Sequence, residues 1–338
     1  MKRRPTRIAI VGTIVLLVLG FPALVQLAAD WYWFQAVGFE SVFLKTIGTK
    51  LTFGLGVGLF AFVFLYANLR YAQRGSVPHP VLLSLNPPAH PLDLTRLFRR
   101  LAWPVALVVA LLIGASASGG WLTVLGFLYG TPFELADPVF QRDLGYYFFT
   151  LPAVRLALGI LIGLTMVSLV IVVSLYVLRG DLLLLGRQVT VEPSAQTHIG
   201  GLIALLLVTA AVHLHLVQIP SLLYSSPEAR FFGASYADLA VRLPLLRVAG
   251  GVALLGAVAV IWGAWQRRLV RNLAIALLAY FGVGVLAALT QAAVHRFVVL
   301  PNELAKETPQ MAHHIAATRR AWSASRPSLR ACTRTLKS

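Results

Sequence analysis

Seven long apolar stretches organise this chain: 8–29, 51–69, 101–122, 156–178, 199–219, 248–265 and 273–294. None contains Asp, Glu, Lys or Arg, and each is 18 to 23 residues long. A bilayer core about 30 Å thick is crossed by roughly 20 helical residues rising 1.5 Å each. The pattern predicts an all-α, polytopic membrane helix bundle with seven transmembrane helices.

Composition supports that reading. Hydrophobic residues make up 58% of the chain and charged residues 12%, against about 25% charged in a soluble domain. The net charge of +17 raises the question of nucleic acid. The basic residues, however, sit in short segments beside the apolar runs, and no groove-reading module is visible. The expected partner is the lipid bilayer, not nucleic acid. Alternate connections carry fourteen Lys and Arg on one side and seven on the other. The positive-inside rule then places the N-terminus inside and, after seven crossings, the C-terminus outside. The eight basic residues from Arg296 onward run against this assignment. The first run follows Lys2, Arg3, Arg4 and Arg7 and is 22 residues long. A signal-peptide core is about 7–15 residues, so a retained signal-anchor is expected. The lone Cys332 permits neither an intramolecular disulfide nor a cysteine zinc site.

Aromatic residues mark the predicted interfaces: Trp31 to Phe34, Trp103, Trp121, Tyr146 to Phe149, Trp262 and Trp265. The inner segment 70–100 divides into a proline-rich part and a short basic amphipathic helix, 92–101. Gly54 with Gly58 and Gly159 with Gly163 form GxxxG pairs, expected to bring helices close together. The outer segments 30–50, 123–155 and 220–247 are long and rich in aromatic, acidic and turn residues. The middle one reads as short interfacial pieces separated by turns. Loops of that length often carry function.

Candidate chemistry is sparse. Gln26, His213, His215, Gln218, Gln291 and His295 cluster at the outer ends of spans, where polar groups are functional candidates. They would fit one polar pocket opening outward, although helix-end polarity alone accounts for them. His213 and His215 point about 200° apart on a helix and cannot readily share a metal. No HExxH, GxSxG or GxxxxGK[ST] occurs. No carboxylate lies inside an apolar run, which removes the usual proton or sodium relay of a coupled transporter. No metal or cofactor is predicted, and no catalytic set. The outer-face polar candidates are Asp30, Asp143, His213, Tyr236, Asp238, Arg242, Gln291 and His295.

Four outer segments carry a resemblance when taken together: Asp30-Trp-Tyr-Trp-Phe-Gln-Ala-Val-Gly-Phe-Glu40; Asp137-Pro-Val-Phe-Gln-Arg-Asp-Leu-Gly-Tyr-Tyr147; Tyr224-Ser-Ser with Gly233-Ala-Ser-Tyr-Ala-Asp238; and Arg296-Phe-Val-Val-Leu-Pro-Asn-Glu303. Ile315 to Trp322 follows the last. In order and layout the chain resembles uncharacterised protein family 0182 over residues 1–322. That resemblance implies a multi-pass protein of the bacterial plasma (inner) membrane and implies no particular activity. Members are normally far longer, with a large extracytoplasmic region after the seventh span. The expected organisation is a transmembrane domain, 1–295, the start of an extracytoplasmic region, 296–322, and a basic tail, 323–338. The tail has no acidic residue and no apolar period. It reads like an out-of-frame segment, so a truncated member is expected. The leading functional expectation is a membrane anchor and docking platform for an extracytoplasmic domain. A transporter or permeation bundle for a small or lipidic solute comes second, and an outer-surface enzyme third. Oligomeric state is not specified by any of these residues.

Overall fold

A computed structural model describes residues 4–74, 94–185, 188–224 and 233–323, without the side chains of 4–19, 94–99, 184–185, 188–189, 321 and 323. The proline-rich part of 70–100 and most of the basic tail lie outside the described residues. Among the described residues the fold is all-α apart from one small hairpin and an isolated bridge between Ala136 and Asp143. Its helices are α1 (Arg4–Ala36), α2 (Glu40–Ala72), α3 (Leu94–Ser118), α4 (Trp121–Tyr129), α5 (Leu151–Arg179), α6 (Pro193–His213), α7 (Leu243–Trp265), α8 (Leu269–Val294) and α9 (Glu303–Ser323). Among the described residues six helical segments are long and apolar enough to cross a membrane, within 40–72, 100–118, 146–179, 193–218, 238–265 and 269–320. They coincide with the second to seventh apolar runs. The first run falls on α1, about half of whose side chains lie outside the described set.

The packing is that of a protein in lipid. Small residues face inward: Ala61, Ala106, Ala253 and Ala257 are buried. Large ones face outward: Leu59, Leu112, Val170, Leu255, Leu278 and Phe281 are each more than half exposed. Lipid supplies no hydrophobic drive between helices, so close van der Waals approach of small residues does the packing.

Helix neighbours in the chain pack antiparallel. Between α2 and α3, Gly114 lies so close that an added Cβ would come within 2.5 Å of the Gly54 carbonyl and 3.0 Å of the Gly58 Cα. Gly200 on α6 abuts Ala264 on α7, and Gly256 on α7 abuts Ala276 on α8. The α7–α8 turn is held by Asn272, whose Nδ2 donates to the Ala259 carbonyl at 2.8 Å. The second glycine pair behaves differently. An added Cβ at Gly159 or Gly163 would meet nothing within 4 Å. These glycines line a groove and do not form a helix contact, which corrects their expected packing role.

Two boundaries also differ from the sequence reading. The third apolar run does not continue as one helix to Leu122. α3 ends at Ser118, and Gly119-Gly120 turns the chain into α4. The segment 92–101 is not a separate surface helix, because α3 runs unbroken from Leu94 past Pro104.

The bundle thus has two ends. The hairpin face carries β1 (Leu182–Leu185) and β2 (Gln188–Val191), antiparallel with Leu182 opposite Val191. The opposite, loop face carries the α1–α2 turn, α4, residues 130–150, 214–224 and 233–242, and α9. At the α1–α2 turn Gly38 takes φ +74°, and Trp31 and Phe34 pack their rings on Phe43.

Candidate functional site

The loop face is built around buried carboxylates. Asp137 is 2% exposed. Its Oδ1 accepts from the amides of Val139 (2.9 Å) and Phe140 (2.6 Å). Its Oδ2 accepts from the Arg142 amide (2.8 Å) and the Tyr147 hydroxyl (2.8 Å). A buried carboxylate must be hydrogen-bonded to persist, and here those bonds wind 137–142 into a turn. Asp143 does the same for the preceding extended segment, accepting from the amides of Phe133 (3.1 Å), Leu135 (3.3 Å) and Gly145 (2.7 Å). The Phe133 amide, with those of Gly145 and Leu135, holds its carboxyl below the ordinary aspartate value against a desolvation effect. Arg142 lies over the Tyr146 ring at 4.6 Å. The Tyr146 hydroxyl donates to the Leu216 carbonyl at 3.1 Å, tying this loop to the end of α6.

The second carboxylate centre joins three elements. Asp238 is 0% exposed. It accepts from the Ser235 amide (3.2 Å) and hydroxyl (2.9 Å). Arg242 Nη1 (3.4 Å) and Gln291 Nε2 (3.3 Å) also donate to it, the latter from α8. Close by, both oxygens of Glu307 on α9 accept from the Tyr236 amide, at 3.1 and 3.0 Å. Lys306 lies over the Tyr236 ring at 5.0 Å. His295 stands within electrostatic reach of Glu307.

Four turns of π-helix explain how these side chains converge. Tyr146–Thr150, Leu214–Gln218, Asp238–Arg242 and His295–Val299 each close with an N–H bonded five residues back. All four lie at the loop-face ends of membrane helices. A π turn accommodates an extra residue and rotates the helix beyond it, and such turns are frequent at functional sites.

Five of the eight sequence candidates therefore meet: Tyr236, Asp238, Arg242, Gln291 and His295. Asp143 organises its own loop. Asp30 accepts from Gln26 within α1 at 3.0 Å and does not join them. His213 is half-buried at the end of α6, within electrostatic reach of Arg155. Tyr224 lies nearby, its hydroxyl raised above the ordinary tyrosine value by burial, with the Arg155 charge opposing. Gln26 pairs with Asp30 within α1, whereas Gln291 and His295 stand beside Asp238 and Glu307. Asp238, read as a loop residue, becomes the first residue of a membrane helix through its π turn.

Sequence reasoning missed Ser235 and Glu307 and saw Asp137 only as one of several outer acidic residues; the burial of all three depends on tertiary contact. It also missed a polar clamp at the opposite end. There His198 Nε2 meets Asn68 Oδ1 at 2.8 Å and His198 Nδ1 meets the Tyr176 hydroxyl at 3.0 Å. Tyr71 sets its ring edge-on to the imidazole at 4.6 Å. Arg179 pairs with Asp181 at 3.2 Å and donates to the Ala72 carbonyl. The available signal was an Asn within one apolar run and a His at the edge of another, on the same side. Among the described residues no group of His, Cys, Asp and Glu is arranged to hold a metal ion.

Comparison with known proteins places the chain. No solved structure matches it. The UPF0182 protein of Geobacter sulfurreducens is 32% identical over 310 residues, covering 88% of this chain and 34% of the relative. A UPF0182 protein of Moorella thermoacetica is 31% identical over 310 residues, with 88% and 33% covered. One from Cupriavidus necator is 33% identical over 301 residues, again with 88% and 33% covered. The chain spans about a third of the length of the curated relatives it matches. The family profile matches residues 7–332, which reaches into the basic tail. With that match over nearly its whole length, the chain belongs to the uncharacterised protein family UPF0182.

Proposed function

We propose that the loop face is a docking platform, and that the bundle anchors and orients an extracytoplasmic domain in the bacterial plasma membrane. The observation that carries this reading is the rigid construction of that face. Three buried carboxylates, Asp137, Asp238 and Glu307, are engaged by backbone amides and neighbouring side chains. Carboxylates satisfied in this way fix loop geometry. α9 is tied into the same face by Glu307, so the polypeptide beyond α9 in the longer relatives departs from it. The positive-inside count supports an extracytoplasmic position for the face.

The test uses a full-length relative, such as the Geobacter sulfurreducens protein. A specific protease site is inserted at the position aligned with Ser323, and membranes are washed after cleavage. Retention of the severed region on the membrane is expected. Release into the soluble fraction would mean that the bundle merely tethers it. The transport reading would then be tested by solute flux in proteoliposomes.

A further inference from the structure

We propose that the groove between α3 and the loop-face half of α5 binds a membrane phospholipid, with Arg155 holding the phosphate and an acyl chain lying along Gly159 and Gly163. The groove encloses about 560 Å³. Val109, Leu112 and Ser116 form one wall and Gly159, Gly163 and Val167 the other. Arg155 stands at its loop-face end as the only charged residue in the lining.

The groove exists because α5 parts from its neighbours. Leu164, Thr165, Ser168, Val172, Leu175 and Tyr176 of α5 are buried, but no residue between Leu151 and Leu164 is. Leu156 touches the far end of α3 near Gly120, which closes the groove toward the loop face. From Arg155 to Val167 the helix rises about 18 Å. One leaflet of hydrocarbon is about 15 Å deep, half of a 30 Å core. The groove is thus as long as one acyl chain in the leaflet that Arg155 faces. Apart from Ser116 and Arg155 the lining side chains are apolar or glycine, so hydrocarbon is the fitting content along most of its length.

Charge selects the headgroup. Arg155 sits in the second turn of an apolar helix, and among the described residues it makes no hydrogen bond or ion pair. Its electrostatic neighbours, His213 and Tyr224, bring no negative charge. Arg155 is exposed at the outer end of the span, the level at which a long basic side chain meets lipid headgroups, and phosphate matches its fork bidentately. A second groove, about 670 Å³, lies across the Leu156–Ile160 ridge against α2 and α4. It has no charged residue in its lining and serves as an internal control.

The experiment is lipid retention. The protein is purified from membranes, exchanged repeatedly into lipid-free detergent, and measured by native mass spectrometry and phosphate assay. The wild type is expected to keep a bound phospholipid. Gly159→Leu with Gly163→Leu should lose it while melting normally, because added side chains there meet open space. Arg155→Gln should weaken retention by about tenfold or more, the scale of a hydrogen bond to a charged group. Gly56→Leu, which fills the uncharged groove, should leave retention unchanged. A lipid-free wild type, or undiminished retention in the double-leucine variant, overturns the proposal. Unchanged retention in Arg155→Gln overturns the phosphate assignment. Displacement of the lipid by millimolar inorganic phosphate would identify a site for a soluble anion and likewise overturn it.

Discussion

At the hairpin face the bundle is closed by apolar packing around a side-chain polar clamp, and at the loop face it is closed by carboxylates that bind backbone amides. Near the hairpin, Leu65, Leu69, Leu164, Val172, Leu175 and Tyr176 form one buried cluster. A polar clamp, Asn68–His198–Tyr176, crosses α2, α6 and α5 there. Toward the loop face α5 carries no buried residue between Leu151 and Leu164, yet the loops above it are tied down by Asp137, Asp143, Asp238 and Glu307. The difference shows two ways of fixing a membrane protein. Small side chains allow close helix approach inside lipid. Where the chain leaves the helices, carboxylates and π turns satisfy the freed backbone amides.

The sharpest way to break the comparison is Asp238→Ala. It would leave Ser235 and Gln291 without their buried acceptor, and a loss of about 3 kcal/mol is expected. Thermal unfolding in detergent reads this, and an unchanged melting temperature would remove Asp238 from the framework. Gly114→Leu comes next. Its new side chain would collide with backbone at Gly54 and Gly58, for an expected loss of about 2–3 kcal/mol. Leucine at Gly159 should be tolerated, so equal damage at both positions would erase the distinction between packed and open glycines.

His198→Ala should cost about 1 kcal/mol, the scale of interhelical hydrogen bonds in membranes. Combined with Asn68→Leu the total should fall short of the sum, since the two share one bond. Strict additivity would mean that the clamp is not energetically coupled. The smallest effect concerns Asp143. Its carboxyl titrates below the ordinary aspartate value because the folded loop's amides bind the charged form. Its contribution is therefore complete above the unfolded value, about 3.9, and is lost as pH falls through the lower folded value. Hydrogen exchange at Phe133, Leu135 and Gly145 should lose its protection only in that acid window, and Asp143→Ala should show fast exchange at neutral pH too.

Much of this was legible beforehand because burial in lipid leaves a one-dimensional record. The second to seventh apolar runs coincide with membrane-length helices, and Gly54 with Gly58 marks a real contact. The same pattern at Gly159 and Gly163 does not, because a GxxxG pair shows what a helix permits and not which neighbour arrives. Gln291 and His295 were identifiable as polar residues at a span's outer end, and Tyr236, Asp238 and Arg242 as polar residues of an outer segment. Their meeting on one centre was not, and neither was the part played by Glu307, which lies 71 residues from its partner Tyr236.

The sequence by itself determined the helical, membrane-type architecture and the family, through the length and charge-free composition of its apolar runs and four outer motifs. Only the tertiary structure decided which glycines touch, which carboxylates are buried, and where α5 stands away from α3. Those outcomes depend on helix rotation and on partners far apart in the chain, and hydropathy read along the chain contains neither.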